Sequence, residues 1–361
     1  MTLIHLQSRI HFADGVLEEA LRGEVEAAAH KTLCVLYDER DPLGDVALRI
    51  GASLPNRTAT QFIGATPDDT KQSFWERLQT SVDPAECDAL IAFGTARVIA
   101  FGRKCRVEIA NARYAKASAE QRLKRRRSLL PDYVVIPGID GLPDPCSDPG
   151  GASLFRGVPP SVVICDPTLT VGTDAETRAS CYATTLTRCI QSLGVNAFNP
   201  VADAFATEGL RRLVLAGVRT EDTPRLEQYR DLMAAALSGA MSQQKGVAIL
   251  QLVSGMLQAM VDRSVQPGVL NRILLPHFAD RSLSASDDRN ALVRYILKFP
   301  VDVEFDICLA EFLDPLPLQK RLRDLGLTRR AVRKTSLAVS SDARAATMSA
   351  DEIEAALNAA Y

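Results

Sequence analysis

The sequence predicts an α/β domain of doubly wound, Rossmann-like type followed by an all-α domain. Three observations carry this. Up to about residue 140, short apolar runs alternate with stretches of helical period, the pattern of parallel strands joined by crossover helices. From about Thr173 onward the composition turns helical and rich in Ala and Leu. Between the two halves lies a Pro/Gly-rich stretch, 143–157, PDPCSDPGGASLFRG. It sets the expected boundary: a nucleotide-binding-like domain over 1–157 and a helical domain over 158–361.

The elements follow in order. Residues 1–30 read as a short strand or hairpin, then a helix from Gly15 to His30. Thr32–Tyr37, TLCVLY, is a continuous apolar run of strand length, suited to a parallel strand buried on both faces. Asp41-Pro42-Leu43-Gly44 is a loop signal, and a helix runs from it to about Leu54. Thr58–Ile63 is a second strand. Asp68–Val82 is amphipathic, with Phe74 and Leu78 on one helical face. Asp88–Phe93, DALIAF, Tyr133–Pro137, YVVIP, and Pro160–Asp166, PSVVICD, are further strands. In the second half, Val201–Ala216, Gln228–Met241 and Ser284–Lys298 have helical period. Gly246–Met260 is apolar on several faces, as a central buried helix would be.

Composition bounds the function. Of 361 residues, 47% are hydrophobic and 24% charged, the balance of a globular protein. A net charge of −2 excludes bulk electrostatic binding of nucleic acid. No apolar run reaches the ~18 residues a membrane helix needs, and the first residues do not read as a secretory leader. The eight cysteines are scattered without a C-x-x-C pair, which points to free thiols in a reducing cytoplasm. One segment breaks the charge balance. Residues 103–127 carry ten Lys and Arg against Glu108 and Glu120. It reads as a basic insertion over about 104–130, either a solvated face or a dock for an acidic partner.

Several motifs together resemble the iron-containing alcohol dehydrogenase superfamily, nearest its maleylacetate reductase branch. They are Asp166-Pro167-x-Leu169-Thr170, the Leu275-Pro276-His277 step, and the C-terminal run from Pro315 to Leu327 and on to Tyr361. The resemblance covers essentially the whole chain. It implies a dehydroquinate synthase-like architecture, a nicotinamide nucleotide, and a divalent metal held by imidazoles and a carboxylate.

The same resemblance marks where this chain departs. The family's D/N-A-x-x-H-x-x-E helix maps here onto Thr184, Thr185, Arg188 and Gln191. Its histidine cluster maps onto Leu252, Val253 and Leu257, and its last ligand onto Pro267. The glycine loop keeps Gly94, with Thr95, Ala96 and Arg97 in place of the other loop residues. The loop after Pro137 keeps only its proline. The nucleotide candidates are therefore Gly94, Thr95, Arg97 and Arg103, the arginines as phosphate partners. The candidates for chemistry are Arg188, Thr184, Gln191 and Tyr182, with Arg188 able to hold a carboxylate in two-point contact. Asp140, Asp144 and Asp148 are loop carboxylates available to acid–base work.

These departures lead to an expectation of no metal, neither iron nor zinc, with NAD(P)H left as the only conceivable cofactor. They favour a pseudoenzyme: a non-catalytic structural or regulatory subunit, paired with a maleylacetate reductase-like paralogue or with itself. The alternatives are a metal-independent enzyme using the old interdomain cleft on a small carboxylated substrate, and a residual NAD(P)H-dependent reductase.

Overall fold

A computed structural model of the chain describes residues 8–39, 44–66, 68–117, 129–139, 141, 159–217, 224–245, 248–262, 264–283, 287–342 and 348–361. The chain divides into two compact units, one of Leu6–Val171 and one that takes in Gly172–Tyr361.

The first unit is built on six strands: β1 (Arg9–Phe12), β2 (Thr32–Asp38), β3 (Ala59–Ala65), β4 (Ala89–Gly94), β5 (Asp132–Pro137) and β6 (Val162–Cys165). All pairings are parallel, in the order β1-β6-β5-β4-β2-β3. Among the described residues four helices cross over: α1 (Leu17–Ala27), α2 (Gly44–Ser53), α3 (Lys71–Ser81) and α4 (Ala96–Lys116). Strand residues alternate between two cores. Cys34, Leu36, Leu90 and Tyr133 pack with Phe74, Leu78, Val98 and Phe101. Leu33, Val35, Ile91 and Val134 pack with Leu17, Leu21 and Ile50. Both faces are covered, which is why the strands read as unbroken apolar runs.

Two expectations change here. The unit boundary falls at Val171/Gly172, not at 157/158, because β6 pairs with β1 and β5 inside the sheet. Residues 104–116 of the expected basic segment are regular helix: they continue α4, which opens at Ala96. Their charges are spent locally. Buried Arg106 donates to the carbonyls of Pro131 (3.0 Å) and Pro159 (2.7 Å). Arg113 donates to those of Pro84, Leu129 and Cys87. Lys104 pairs with Glu108. The rest of the basic run, 118–128, lies outside the described residues, as do Asp140, Asp144, Asp148 and the whole Pro/Gly-rich stretch 143–157.

The second unit is helical: α5 (Ala175–Gly194), α6 (Pro200–Ala216), α7 (Leu226–Met241), α8 (Ile249–Gln258), α9 (Pro267–Leu283), α10 (Asp287–Leu297), α11 (Phe305–Leu313), α12 (Arg329–Ser340) and α13 (Ala350–Ala359). α5 is its axis. Asp174 caps it, accepting from Thr177 N at 2.8 Å. Small residues let neighbours close on it. A Cβ on Gly209 of α6 would meet Cys189 Sγ at 2.5 Å, and one on Gly268 of α9 would meet the Ser180 carbonyl at 2.1 Å. The central buried helix expected over 246–260 is the shorter α8, whose Val253 and Leu257 are fully buried.

Candidate functional site

Each unit carries one set of candidate residues. In the first, the chain leaves β2 for β3 on one side and returns to β4 on the other. The strand order thus reverses between β2 and β4, the kind of switch point at whose carboxyl ends α/β sheets bind ligands. Gly94 closes β4 with φ +101°, a conformation that favours glycine. Thr95 follows as the N-cap of α4, accepting from Val98 N at 3.5 Å. The first-turn N–H groups of this 21-residue helix thus lie at that switch point, where backbone donors and the helix dipole favour an anion. The loop after β5 folds onto the same turn. Gly138 N donates to Gly94 O at 2.8 Å, and Gly141 N to Gly138 O at 3.0 Å. A Cβ on Gly141 would come within 2.0 Å of Gly94 O, so only glycine fits there. The cradle fits a nucleotide pyrophosphate.

The two arginines do not join it. Arg97 turns away to clamp the β3–α3 connection, donating to the carbonyls of Thr66 and of Asp69 (3.2 Å). Its other guanidinium nitrogen lies 3.9 Å from Asp38 at the end of β2, and the group stacks over Phe101 at 5.1 Å. Arg103 is seven residues along α4 from Ala96, ~10 Å of helix rise from the first turn. Asp38, buried at the mouth of β2, and Gly141 were not singled out from sequence. An acidic residue ending the strand beside the glycine turn is a readable signal.

In the second unit, Thr184, Arg188 and Gln191 share one face of α5 at spacings of four and three. α9 is hydrogen-bonded to this side. Gln266 Nε2 donates to Thr177 Oγ1 (2.9 Å), Gly268 N to Ser180 Oγ (3.1 Å) and Asn271 Nδ2 to Thr184 Oγ1 (3.2 Å). Thr184 is thus partly committed as an interhelix fastener. Arg188 and Gln191 are not. The half-buried guanidinium of Arg188 makes no hydrogen bond or ion pair among the described residues; only its backbone carbonyl is engaged, by Gln243 at 2.9 Å. Gln191 is 3% exposed, and neither end of its amide has a partner. Buried amides normally do, so this face is shaped for a polar occupant.

Tyr182 does not belong with them. At 100° per residue it lies ~120–180° around α5 from the other three. It packs against Phe312, ring centres 6.2 Å apart, and burial drives its phenol far above the ordinary range. His277 sits mid-helix in α9, half-buried, and burial holds its imidazole below its usual value.

The α5 positions that the resemblance assigns to a metal supply hydroxyls, a guanidinium and an amide. Among the described residues no three His, Cys, Asp or Glu gather. This donor set does not fit a divalent ion, and no step below is routed through one.

Solved structures decide the architecture. An iron-containing alcohol dehydrogenase from Thermococcus thioreducens superposes with TM-score 0.81 over 99% of both chains, at 17% identity. The chain has the iron-containing alcohol dehydrogenase fold. Maleylacetate reductase from Rhizobium sp. strain MTP-10005 shares that fold with TM-score 0.78 and 19% identity, over 100% of this chain and 98% of that one. A curated relative, 4-hydroxybutyrate dehydrogenase of Cupriavidus necator, is 24% identical over 350 residues, 91% of this chain and 90% of that protein. No protein-family model matches.

These likenesses correct two expectations. A non-catalytic structural or regulatory subunit loses its support. The proteins this chain resembles across its length are named as dehydrogenases and reductases. The exclusion of iron from the chain as a whole also falls, since proteins named for their iron share the fold, although the α5 positions themselves do not supply its ligands. Among the described residues no helix is long and apolar enough to cross a membrane.

Proposed function

We propose that the protein is a nicotinamide-nucleotide-dependent dehydrogenase that interconverts a short hydroxy-carboxylate and its carbonyl form. The observation that carries the substrate class is the unspent face of α5. A guanidinium without a partner and a buried amide without partners lie on consecutive turns. Arg188 would receive the substrate carboxylate, and the Gln191 amide would hold a neighbouring polar atom. The 24% likeness to a 4-hydroxybutyrate dehydrogenase over 91% of the chain supports the same class.

The nucleotide is read from the β4–α4 turn. Gly94 gives the close backbone approach, Thr95 fixes the first turn of α4, and the post-β5 loop holds the turn shut from the side through Gly138 and Gly141. When bound there, the nicotinamide supplies hydride acceptance and donation. Asp38 at the end of β2 would accept from a ribose hydroxyl of the nucleotide.

The test is steady-state kinetics with 4-hydroxybutyrate and its neutral amide. Arg188→Ala is expected to raise KM for the carboxylate roughly 10–100-fold, the worth of a charge-assisted pair, and to leave the amide nearly unchanged. Equal loss on both substrates would remove Arg188 from carboxylate binding.

A further inference from the structure

On the opposite side of α5 from Arg188, a small cavity of about 40 Å³ lies between α5, α7 and the turn after α11. That is room for a few heavy atoms, since one water needs ~10–15 Å³ on the same measure. We propose that it is a binding site for a short monocarboxylate such as acetate.

The lining is rich in donors and poor in acceptors. Tyr182 is 3% exposed, and its hydroxyl has no hydrogen-bond partner although it lines a cavity. Tyr229 Oη accepts from Gly172 N at 3.3 Å and from Arg178 Nη1 at 3.5 Å, which leaves its own proton to donate. Arg178 sits one turn before Tyr182 on the same face of α5. It donates from Nη1 to the Thr173 carbonyl and stacks over Tyr229 at 5.8 Å, so its plane is fixed. Nε and Nη2 remain without partners among the described residues. The amide of Gln228 is already spent, accepting from Arg225 N and donating to the Ala216 carbonyl. No Asp or Glu is among the described residues that line the cavity. Tyr182, Tyr229 and Arg178 all line this one small space; two phenols and a guanidinium call for an anion, and the planar two-oxygen form of a carboxylate matches Arg178. Leu232, Leu316 and Pro317 supply apolar wall for a short hydrocarbon tail.

The site stands on its own geometry and is independent of the dehydrogenase reading, so it is tested by binding alone. The full chain, carrying carbon-labelled tyrosine, is titrated with acetate, with acetamide, and with sodium chloride at matched ionic strength. The Tyr182 ring signal is assigned among the seven tyrosines by its loss in Tyr182→Phe. Saturable shifts at Tyr182 and Tyr229 are expected with acetate and not with acetamide or chloride. Tyr182→Phe keeps the packing on Phe312 and is expected to weaken acetate about tenfold, read at Tyr229. Ala175→Leu, at an exposed first-turn position on the lining, is expected to abolish binding while the chain stays folded. Equal response to acetamide would make this a hydration cavity only. No saturation up to about 100 mM acetate, or unchanged affinity in both variants, overturns the proposal.

Discussion

Burying an amide without a partner costs about 1–3 kcal/mol per unmet group, and Gln191 buries both ends of one. In a protein selected for stability alone a leucine would serve better there. Gln191→Leu is therefore expected to raise unfolding free energy by about 1 kcal/mol and to lower turnover of a short hydroxy-carboxylate. Denaturant melts and kinetics on the same preparation read the two opposite signs. Asp132 gives a pH test. The His30 hydrogen bond first, then that of Ser161, brings its carboxyl from 3.8 down to about 2. A depressed carboxyl stabilises above its unfolded value and loses that contribution as pH falls toward about 2. Asp132→Asn is expected to cost about 1 kcal/mol at neutral pH, after discounting for a side chain 44% exposed, and almost nothing below pH ~2. Residue identity was legible in the sequence, but residue commitment was not. Arg97 stood where a phosphate partner belongs, yet two backbone carbonyls on another connection claim it. Tyr182 stood beside Thr184 in the chain and lies across the helix from it.

At the scale of elements, close approaches set the geometry of both candidate sites. Gly268→Ala would drive a Cβ into the Ser180 carbonyl and part α9 from α5. The expected loss is about 2–4 kcal/mol in a denaturant melt, with Asn271 pulled off Thr184. Gly141→Ala would push the post-β5 loop off Gly94, and NADH affinity should fall at least about tenfold in a fluorescence titration. The strands were readable because a parallel sheet covered on both faces forces unbroken apolar runs. Helix ends were less so: Thr70 and Ser73 cap each other and start α3 at Lys71, three residues after the amphipathic pattern begins. The basic tail of α4 misled for a different reason. Charge runs usually face solvent, but Arg106 and Arg113 reach back to carbonyls of the connections that precede the strands. The boundary was misplaced because β6, which follows the Pro/Gly-rich stretch in the chain, pairs with β1 and β5 in the first unit's sheet.

For the molecule as a whole, the fold was legible and the activity was not. Hydrophobic pattern and the DPxLT step specify architecture, and Asp166 shows why that step is informative. Its carboxylate ties the end of β6 to the start of α1 through Gly15 N (2.8 Å) and Leu17 N (3.2 Å). Missing imidazoles and glycines suggested a dead site. Yet a glycine turn needs only its one positive-φ residue and a free helix start, and Gly94 with α4 provides both. The central claim is a working dehydrogenase on a short hydroxy-carboxylate. It is tested most directly by following nicotinamide reduction in purified protein given NAD and 4-hydroxybutyrate, with and without added iron(II). The account predicts saturable turnover that Arg188→Ala weakens through KM and Gly141→Ala weakens through the nucleotide. Absence of turnover across a panel of short hydroxy-carboxylates, together with no NADH binding, would contradict it.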